Sequence, residues 1–276
     1  MVLTSRNEVL MVRRAPTSSS FASAYVFPGG QLDEFHDGPV PSPDSPGRHR
    51  DGPAYRLAAV RECFEETGVL LASGRGAEAM AHSSPEREEA RRSIYKGEVR
   101  FGSWLERIGA VADTDRLIPM TRWITPATLP RRFTTQMYIY PIPKDSGPLP
   151  IPTTDGTEGE TTTAEFWPVQ SLLDAAAKGS ITIFPPQYYL LHRLARRRGG
   201  DDKDADAMAT DDKVICPRPI AVLPDKRTVL ALDEPGPELQ GSGREGDGEK
   251  VLLVEFARGG PRVLEVRRRR DVTALL

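Results

Sequence analysis

Three glutamates, Glu62, Glu65 and Glu66, lie close together in the stretch RECFEETGV at 61–69. On a helix, at about 100° per residue, Glu62 and Glu66 lie one turn apart with Glu65 beside them. Such neighbouring carboxylates repel one another, which destabilises even an exposed helix by a few tenths of a kcal/mol per pair, about the strength of a surface ion pair. A hard divalent cation removes this repulsion, because Mg²⁺ takes oxygen ligands from one or two carboxylates and from substrate phosphates. The spacing is therefore typical of a metal site, and a solvated acidic helix face is the alternative.

The same stretch lies within a predicted helix that extends from Ala54 to Leu71. Leu57, Val60 and Phe64 share one stripe at helical spacing, which predicts a face packed on the core. Gly68 is suited to end the helix because glycine adopts a positive φ without strain.

A second element that could approach a ligand precedes the helix. The sequence Phe27-Pro28-Gly29-Gly30 predicts a tight loop at the end of a short strand. The two glycines would let the backbone of this loop come close to a bound molecule. Further upstream, Val2-Leu3 and 8–12 flank a polar break, which predicts a β-hairpin.

Together these residues resemble the Nudix box, G-x5-E-x7-R-E-U-x-E-E-x-G-U, where U is a bulky aliphatic residue. The last nine positions match, except that Cys63 stands at the first aliphatic position. The resemblance implies an α/β fold, a Nudix α/β/α sandwich with a mixed β-sheet. It also implies hydrolysis of a diphosphate linkage with Mg²⁺ or Mn²⁺. The groups implied as metal ligands are the Gly29 carbonyl, Glu62, Glu65 and Glu66. The residues implied in catalysis are Arg61, Glu62 and Glu66. Glu62 is also an alternative base.

This chain departs from the pattern in two places. Arg61 follows Gly30 by 31 positions where the pattern has 14, so 17 residues are inserted, and the proline-rich segment 31–53 is predicted to be loop. His36 stands where the box has glutamate, and three nearby acids, Asp33, Glu34 and Asp37, are candidates to replace it.

The insertion and two later segments, RWITP at 122–126 and RRFTT at 131–135, resemble the Nudix subgroup that includes the acyl-coenzyme A diphosphatases. Arginines near strand ends are candidate contacts for substrate phosphates, with simple solvation as the alternative. The candidates are Arg13, Arg14, Arg122, Arg131 and Arg132.

Nudix enzymes commonly use a further acid from outside the box, and Glu160 and Glu165 are the candidates here. A charged helix is predicted at 85–94, where Glu86, Glu88 and Glu89 alternate with arginines at helical spacing. These three acids are predicted to be solvated and not to bind a ligand.

Composition restricts the choice of partners. The 276 residues carry a formal charge of −2 with a pI near 6.2, which argues against a protein that mainly binds nucleic acid. No apolar run is long enough to span a membrane, and Cys63 and Cys216 form neither a disulfide framework nor a zinc pattern. We therefore expect a soluble intracellular protein, with the cytoplasm as the default and the mitochondrion or peroxisome left open. Oligomeric state is not predicted.

Three parts are predicted along the chain: a Nudix domain at 1–198, a flexible acidic linker at 199–213 and a small β-rich C-terminal extension at 214–276. The function predicted is metal-dependent hydrolysis of a small nucleoside diphosphate linked to another group, coenzyme A or acyl-coenzyme A being the favoured substrate. The alternative, motivated by His36, is a catalytically weak or silent Nudix-fold module that binds a nucleotide or a protein.

Overall fold

The computed structural model describes residues 1–17, 22–80, 82–143, 152–154, 161–196, 213–257 and 260–273. The chain forms two compact units. The first contains Met1–Leu117 and Ile139–Phe166, and the second contains Ile118–Tyr138 and Trp167–Leu276. The predicted linker falls largely outside the described residues, so the predicted division into domains stays a prediction.

The first unit is built on a mixed sheet. Strand β1 pairs antiparallel with β2 through Leu3 and Val9, and parallel with β7 through Val2 and Tyr140. Strands β3 and β8 both pair with β2. The strands concerned are β1 (Val2–Leu3), β2 (Glu8–Arg14), β3 (Tyr25–Val26), β7 (Thr134–Pro141) and β8 (Thr161–Pro168), and β7 continues into the second unit. The predicted hairpin is confirmed, with Asn7 at φ 59° in its turn.

Helices follow the sheet strands in this unit. They are α1 (Glu34–Asp37), α2 (Pro53–Thr67), α3 (Arg75–Ala79), α4 (Pro85–Tyr95) and α5 (Phe101–Ile108). A small two-stranded sheet joins β4 (Ala72–Ser73) to β5 (Val111–Ala112). Phe64 of α2 is fully buried and stacks on Trp104 of α5 with 4.8 Å between ring centroids, so α2 packs on the core by its predicted apolar stripe.

The segment 31–53 is mainly loop, as predicted, but it contains two short helical turns. Helix α1 begins after Asp33, whose side chain accepts a hydrogen bond from the Phe35 amide. A 3₁₀ turn spans Pro46–His49. The prediction that no new element would occur here is therefore wrong, because α1 is capped and carries two buried side chains, His36 and Asp37.

The second unit contains β6 (Ile118–Ile124) paired parallel with β9 (Val214–Ile215). A four-stranded antiparallel sheet follows in the region where short strands were predicted. Its strands are β10 (Arg218–Val222), β11 (Thr228–Leu232), β12 (Asp247–Ala257) and β13 (Gly260–Arg268). Helices α6 (Val169–Ala177) and α7 (Pro185–Ala195) pack on each other, and both contact β13. A short helix, Arg269–Thr273, ends the described chain.

Candidate active site

Helix α2 carries the acidic cluster. Pro53 is its first residue, where the missing N–H of proline is tolerated, and Gly68 ends it at φ 69° by donating its amide to the Phe64 carbonyl. The acids of the last turn are not on a solvated face, because Glu65 and Glu66 are each only 4% exposed. Burial of these carboxylates favours a site over a solvated helix face.

The FPGG loop lies directly against this helix despite the long insertion. The Gly29 amide donates to Glu66 Oε2 at 2.9 Å. A Cβ built on Gly30 would lie 2.4 Å from Glu62 Oε2, so only glycine leaves room for that carboxylate. The loop and the glutamates predicted as metal ligands are therefore brought together by the fold.

Arg61 is the centre of the cluster. Its Nη1 donates to Glu62 at 2.9 Å and to Glu65 at 3.1 Å, and its Nη2 donates to the Gln31 carbonyl at 2.9 Å. Asp37 accepts from Arg61 through both carboxylate oxygens, each at 2.9 Å. This paired geometry is the strongest form of an arginine–carboxylate contact. The predicted orienting role of Arg61 is consistent with these contacts.

Asp37 is the one of the three candidate acids that contacts Arg61. It also accepts a hydrogen bond from the Asp33 amide at 2.9 Å, whereas Asp33 itself caps α1. The sequence pattern proposed all three acids without preference. The choice between them depends on the single turn of α1, which buries Asp37 and exposes Glu34.

His36, at the box glutamate position, is buried and contacts the start of α5. Its Nδ1 accepts from the Phe101 amide at 3.2 Å, and the residue is 3% exposed. Burial, with a further contribution from the Arg61 charge, lowers the pKa of His36. A neutral imidazole that accepts a backbone hydrogen bond has a structural role at this position.

The pKa of Glu62 is raised to about 7, mainly by burial and in part by the neighbouring Glu65 charge, although Arg61 acts against the shift. Burial also raises the pKa of Glu65, again against Arg61. Desolvation outweighs the single guanidinium in both cases. The cluster is therefore short of positive charge.

Arg14 is a second cation beside these carboxylates, with its Nη1 4.0 Å from Glu66 Oε1. When all four carboxylates (Asp37, Glu62, Glu65, Glu66) are ionised, the two guanidiniums (Arg14, Arg61) leave two negative charges among the named groups. Arg13 lies at the strand end with its guanidinium 5.8 Å from the Tyr25 ring centroid, and it is exposed.

The three other predicted arginines belong to the second unit. Arg122 is fully buried and donates to Thr134 Oγ1 at 3.3 Å. Arg132 forms an ion pair with Glu238 and donates to the Thr125 carbonyl at 3.0 Å, whereas Arg131 is exposed. Their contact with substrate stays a prediction.

Of the two candidate extra acids, Glu165 lies exposed on β8, and Glu160 lies outside the described residues. Neither assignment is tested by this placement.

A divalent cation fits this site by charge and by donor type. The glutamates supply the hard oxygen donors that Mg²⁺ and Mn²⁺ prefer, and two unbalanced negative charges match one dication. In the described ranges, however, no three acidic, histidine or cysteine side chains converge on one point as a complete metal site. The reason is visible in the contacts: Glu62 and Glu65 both point one oxygen at Arg61, and Glu66 accepts from Gly29.

Sequence reasoning missed two residues that bind backbone carbonyls in the last turn of α2. Arg91 of α4 donates to the Glu65 carbonyl, and Thr153 donates its amide to the Thr67 carbonyl. Arg87 and Arg91 are both fully buried, and the side chain of Glu88 is 14% exposed, so the prediction of solvation is wrong for Glu88. The alternation of charges along α4 gave no sign of burial, because it suits a surface helix equally well.

Comparison with known proteins places this chain in one family. The family model described as the NUDT19 Nudix domain matches residues 48–194, which is more than half of the 276-residue chain. The chain belongs to this Nudix hydrolase family. The match includes the whole of α2 and begins after the FPGG loop.

Individual relatives agree. The chain is 29% identical over 215 residues to "Putative nudix hydrolase 7" of Caenorhabditis elegans, covering 78% of this chain and 64% of that protein. It is 24% identical over 235 residues to "Acyl-coenzyme A diphosphatase NUDT19" of Xenopus laevis, covering 69% and 60%. The match therefore spans less than two thirds of the length of these curated relatives.

A solved structure shows the same fold. The crystal structure of a NUDIX hydrolase from Alicyclobacillus acidocaldarius superposes with a TM-score of 0.56 at 22% identity, covering 77% of this chain and 95% of that one. The predicted fold class, an α/β Nudix fold with a mixed sheet, is confirmed. Among the described residues no helix has the length and apolar character needed to cross a membrane.

Proposed function

We propose that this chain is a metal-dependent diphosphatase that hydrolyses a nucleoside diphosphate linked to a second group, and that coenzyme A or an acyl-coenzyme A is the substrate class. The observation that carries the proposal is the contact of the FPGG loop with the box glutamates, in which the Gly29 amide lies 2.9 Å from Glu66 Oε2. The substrate class is supported by the curated relatives from Xenopus laevis and Gallus gallus, both named acyl-coenzyme A diphosphatase NUDT19.

In the reaction, water attacks one phosphorus atom of the diphosphate and the bridging P–O bond breaks. Each product keeps one phosphate of the former diphosphate. With coenzyme A the products are phosphopantetheine and 3′,5′-bisphosphorylated adenosine, which also retains the 3′-phosphate of the substrate. A bound Mg²⁺ or Mn²⁺ would screen the negative phosphate oxygens and stabilise the leaving group. Glu62, Glu65, Glu66 and the Gly29 carbonyl are the groups that would hold it.

The chain's own residues supply the remaining chemistry. Arg61 holds Glu62 and Glu65 in fixed positions through Nη1. Glu62 is also the alternative general base that would take a proton from the attacking water. The proposal includes Arg14 as a contact for a substrate phosphate, supported by the 4.0 Å between its Nη1 and Glu66 Oε1.

The substrate test is a panel of coenzyme A, an acyl-coenzyme A, ADP-ribose, NADH and a capped nucleotide, each with Mg²⁺ and with Mn²⁺. We expect the coenzyme A compounds to be cleaved fastest, with the two phosphorylated products detected by mass spectrometry. Faster cleavage of another compound would reject the substrate class. Metal binding without turnover of any compound would favour a silent binding module.

The site test is Glu66→Gln and, separately, Glu62→Gln. Each keeps the shape of the side chain and removes its charge, so we expect kcat to fall by about a hundredfold or more with the thermal midpoint little changed. Glu89→Gln is the matched control, because Glu89 is an exposed glutamate of α4 paired with Arg92. Near-native turnover by Glu66→Gln would reject the assignment of the site.

A further inference from the structure

Helix α4 buries two arginines behind the acidic cluster. Arg87 and Arg91 are both 0% exposed. Glu88 lies between them and accepts from Arg91 Nη1 at 2.5 Å and from Arg87 Nε at 3.1 Å. Charged groups are removed from water only at a large desolvation penalty, and here two guanidiniums share one carboxylate. Packing alone would be served as well by apolar side chains, so the charges call for a different explanation.

The contacts of Arg91 supply one. Its Nη2 and Nε donate to the Glu65 carbonyl at 2.8 and 3.2 Å. The last carbonyls of a helix have no partner within the helix, and here the Val69 amide donates to Thr67 Oγ1 instead of to the Glu65 carbonyl. Arg91 therefore satisfies that carbonyl, and its positive charge lies where the helix dipole favours a cation.

Thr153 completes the arrangement. Its amide donates to the Thr67 carbonyl at 2.8 Å, which satisfies a second carbonyl of the same turn. Its hydroxyl accepts from Arg91 at 2.6 Å and from Arg87 at 3.1 Å, and donates to Glu88 at 3.1 Å. We call Arg87, Glu88, Arg91 and Thr153 the collar.

The collar and Arg61 hold Glu65 from opposite ends. Arg61 Nη1 donates to the Glu65 carboxylate at 3.1 Å, while Arg91 donates to its carbonyl. Glu66 is the next residue, so the direction of its carboxylate depends on the same turn of backbone. We propose that Arg91, supported by the rest of the collar, is a positioning residue that fixes the last turn of α2 so that Glu65 and Glu66 present their carboxylates to a divalent cation. The inference rests on the proposed function in requiring that cation.

The test measures Mn²⁺ binding to the purified full chain directly, by electron paramagnetic resonance of free Mn²⁺, together with kcat and KM for coenzyme A at saturating Mn²⁺. Arg91→Met replaces the aliphatic part of the side chain with an unbranched apolar one and removes the guanidinium donors. We expect it to weaken Mn²⁺ binding by about tenfold or more, as loss of groups that orient metal ligands commonly does, and to lower kcat with KM unchanged. Arg91→Lys, which retains one donor, should recover part of the binding.

Arg92→Met is the matched control. Arg92 is the next residue of α4 and forms an exposed ion pair with Glu89 at 2.6 Å, so its loss should leave Mn²⁺ binding within about twofold of the unmodified chain, as for a surface ion pair. Thr153→Val is the second variant, used in case Arg91→Met does not fold. It removes the hydroxyl of the collar and keeps the hydrogen bond from the backbone amide of residue 153 to the Thr67 carbonyl. We expect weaker Mn²⁺ binding in Thr153→Val as well.

Two kinds of failure are distinguishable. If the unmodified chain binds Mn²⁺ and turns over substrate, and the folded Arg91 and Thr153 variants match Arg92→Met in Mn²⁺ affinity and kcat, the positioning role is overturned and the proposed function stands. If these variants have a lower thermal midpoint but unchanged Mn²⁺ affinity and kcat, the positioning role is also overturned, because a lower midpoint reports only a structural role. If the unmodified chain binds no Mn²⁺, the proposed function fails first.

Discussion

The carboxyl of Glu62 has its pKa raised to about 7 from an ordinary value of 4.5, chiefly because it is buried beside Glu65. In the folded, metal-free protein this group therefore keeps its proton over a range in which the unfolded chain has lost it. Between about pH 4.5 and 7 this carboxyl binds more protons in the native state than in the unfolded state, so its contribution to stability falls as pH rises through this window.

We predict that, from pH 5 to pH 8, the metal-free unmodified chain loses stability relative to metal-free Glu62→Gln, because only the unmodified chain carries this carboxyl. A shift of this size corresponds to up to about 3 kcal/mol before solvent screening. Urea unfolding in the presence of a chelator, at several pH values, measures the difference. Glu89→Gln should keep the slope of the unmodified chain, and an unchanged slope in Glu62→Gln would contradict the burial argument.

Asp37 and His36 are neighbours with different tasks. Asp37 binds both Nε and Nη2 of Arg61, whereas His36 accepts one backbone hydrogen bond from Phe101. We predict that Asp37→Asn lowers turnover strongly and destabilises the fold by about 3 kcal/mol, since it leaves a buried guanidinium without its main partner.

The matched variant is His36→Gln, whose amide oxygen can accept the same hydrogen bond. We expect its kcat to stay close to that of the unmodified chain. Steady-state kinetics and chemical unfolding of the two variants decide the matter. A His36→Gln variant as inactive as Asp37→Asn would place His36 in the catalytic machinery.

At the scale of elements, the C-terminus of α2 is the most constrained helix end near the site. Gly68 adopts φ 69°, and a Cβ there would lie 3.0 Å from Arg87 Cζ and 3.1 Å from Thr153 Oγ1. Gly97 adopts nearly the same φ, 70°, with nothing within 4 Å of the corresponding Cβ position. Substituting each glycine by alanine therefore distinguishes the effect of backbone strain, present at both positions, from that of crowding, present only at Gly68.

We predict that Gly97→Ala costs about 1 kcal/mol from the left-handed conformation alone. Gly68→Ala should cost more, because the added methyl group displaces Arg87 or Thr153. Urea unfolding of both variants gives the comparison. Equal losses of stability in the two variants would mean that the collar accommodates the methyl group with no further loss in the free energy of unfolding.

At the scale of the whole molecule, the predicted Nudix domain boundary at residue 198 would separate helix α7 from strands that it contacts within the second unit. Helix α7 buries Leu190, Leu191 and Leu194 almost completely, and it contacts β12 and β13. Tyr189 of α7 donates its buried hydroxyl to Asp247 of β12 at 2.6 Å.

We predict that a chain cut after Arg198 unfolds at a lower temperature than the full chain or fails to fold cooperatively, because α7 loses apolar contacts that stabilise by about 1.5–3 kcal/mol per buried leucine. Circular dichroism melting curves measure this. A chain ending at Thr273 is the control, since it keeps β12 and β13. A cooperative transition of the shorter chain at the control temperature would support the boundary at 198.

Much of the site was predictable from local pattern. Glu62, Glu65 and Glu66 follow from helical spacing, and Gly68 follows from the need for a positive φ at the helix end, both of which depend only on neighbouring residues. Which of the nearby acids pairs with Arg61 was not predictable, because Asp33, Glu34 and Asp37 have the same chemistry. The orientation of one short helix brings Asp37 to Arg61.

The amino-acid sequence by itself determined the family, the helix that carries the three glutamates and the loop that precedes it, since these depend on residue type and short-range spacing. The tertiary structure alone decided which acid pairs with Arg61, that His36 is buried, and that Arg87 and Arg91 lie behind the site and not in solvent. The physical reason is that burial and charge pairing are set by segments distant in the chain. Thr153 meets Arg91 across 62 positions, and no local pattern in either segment records that contact.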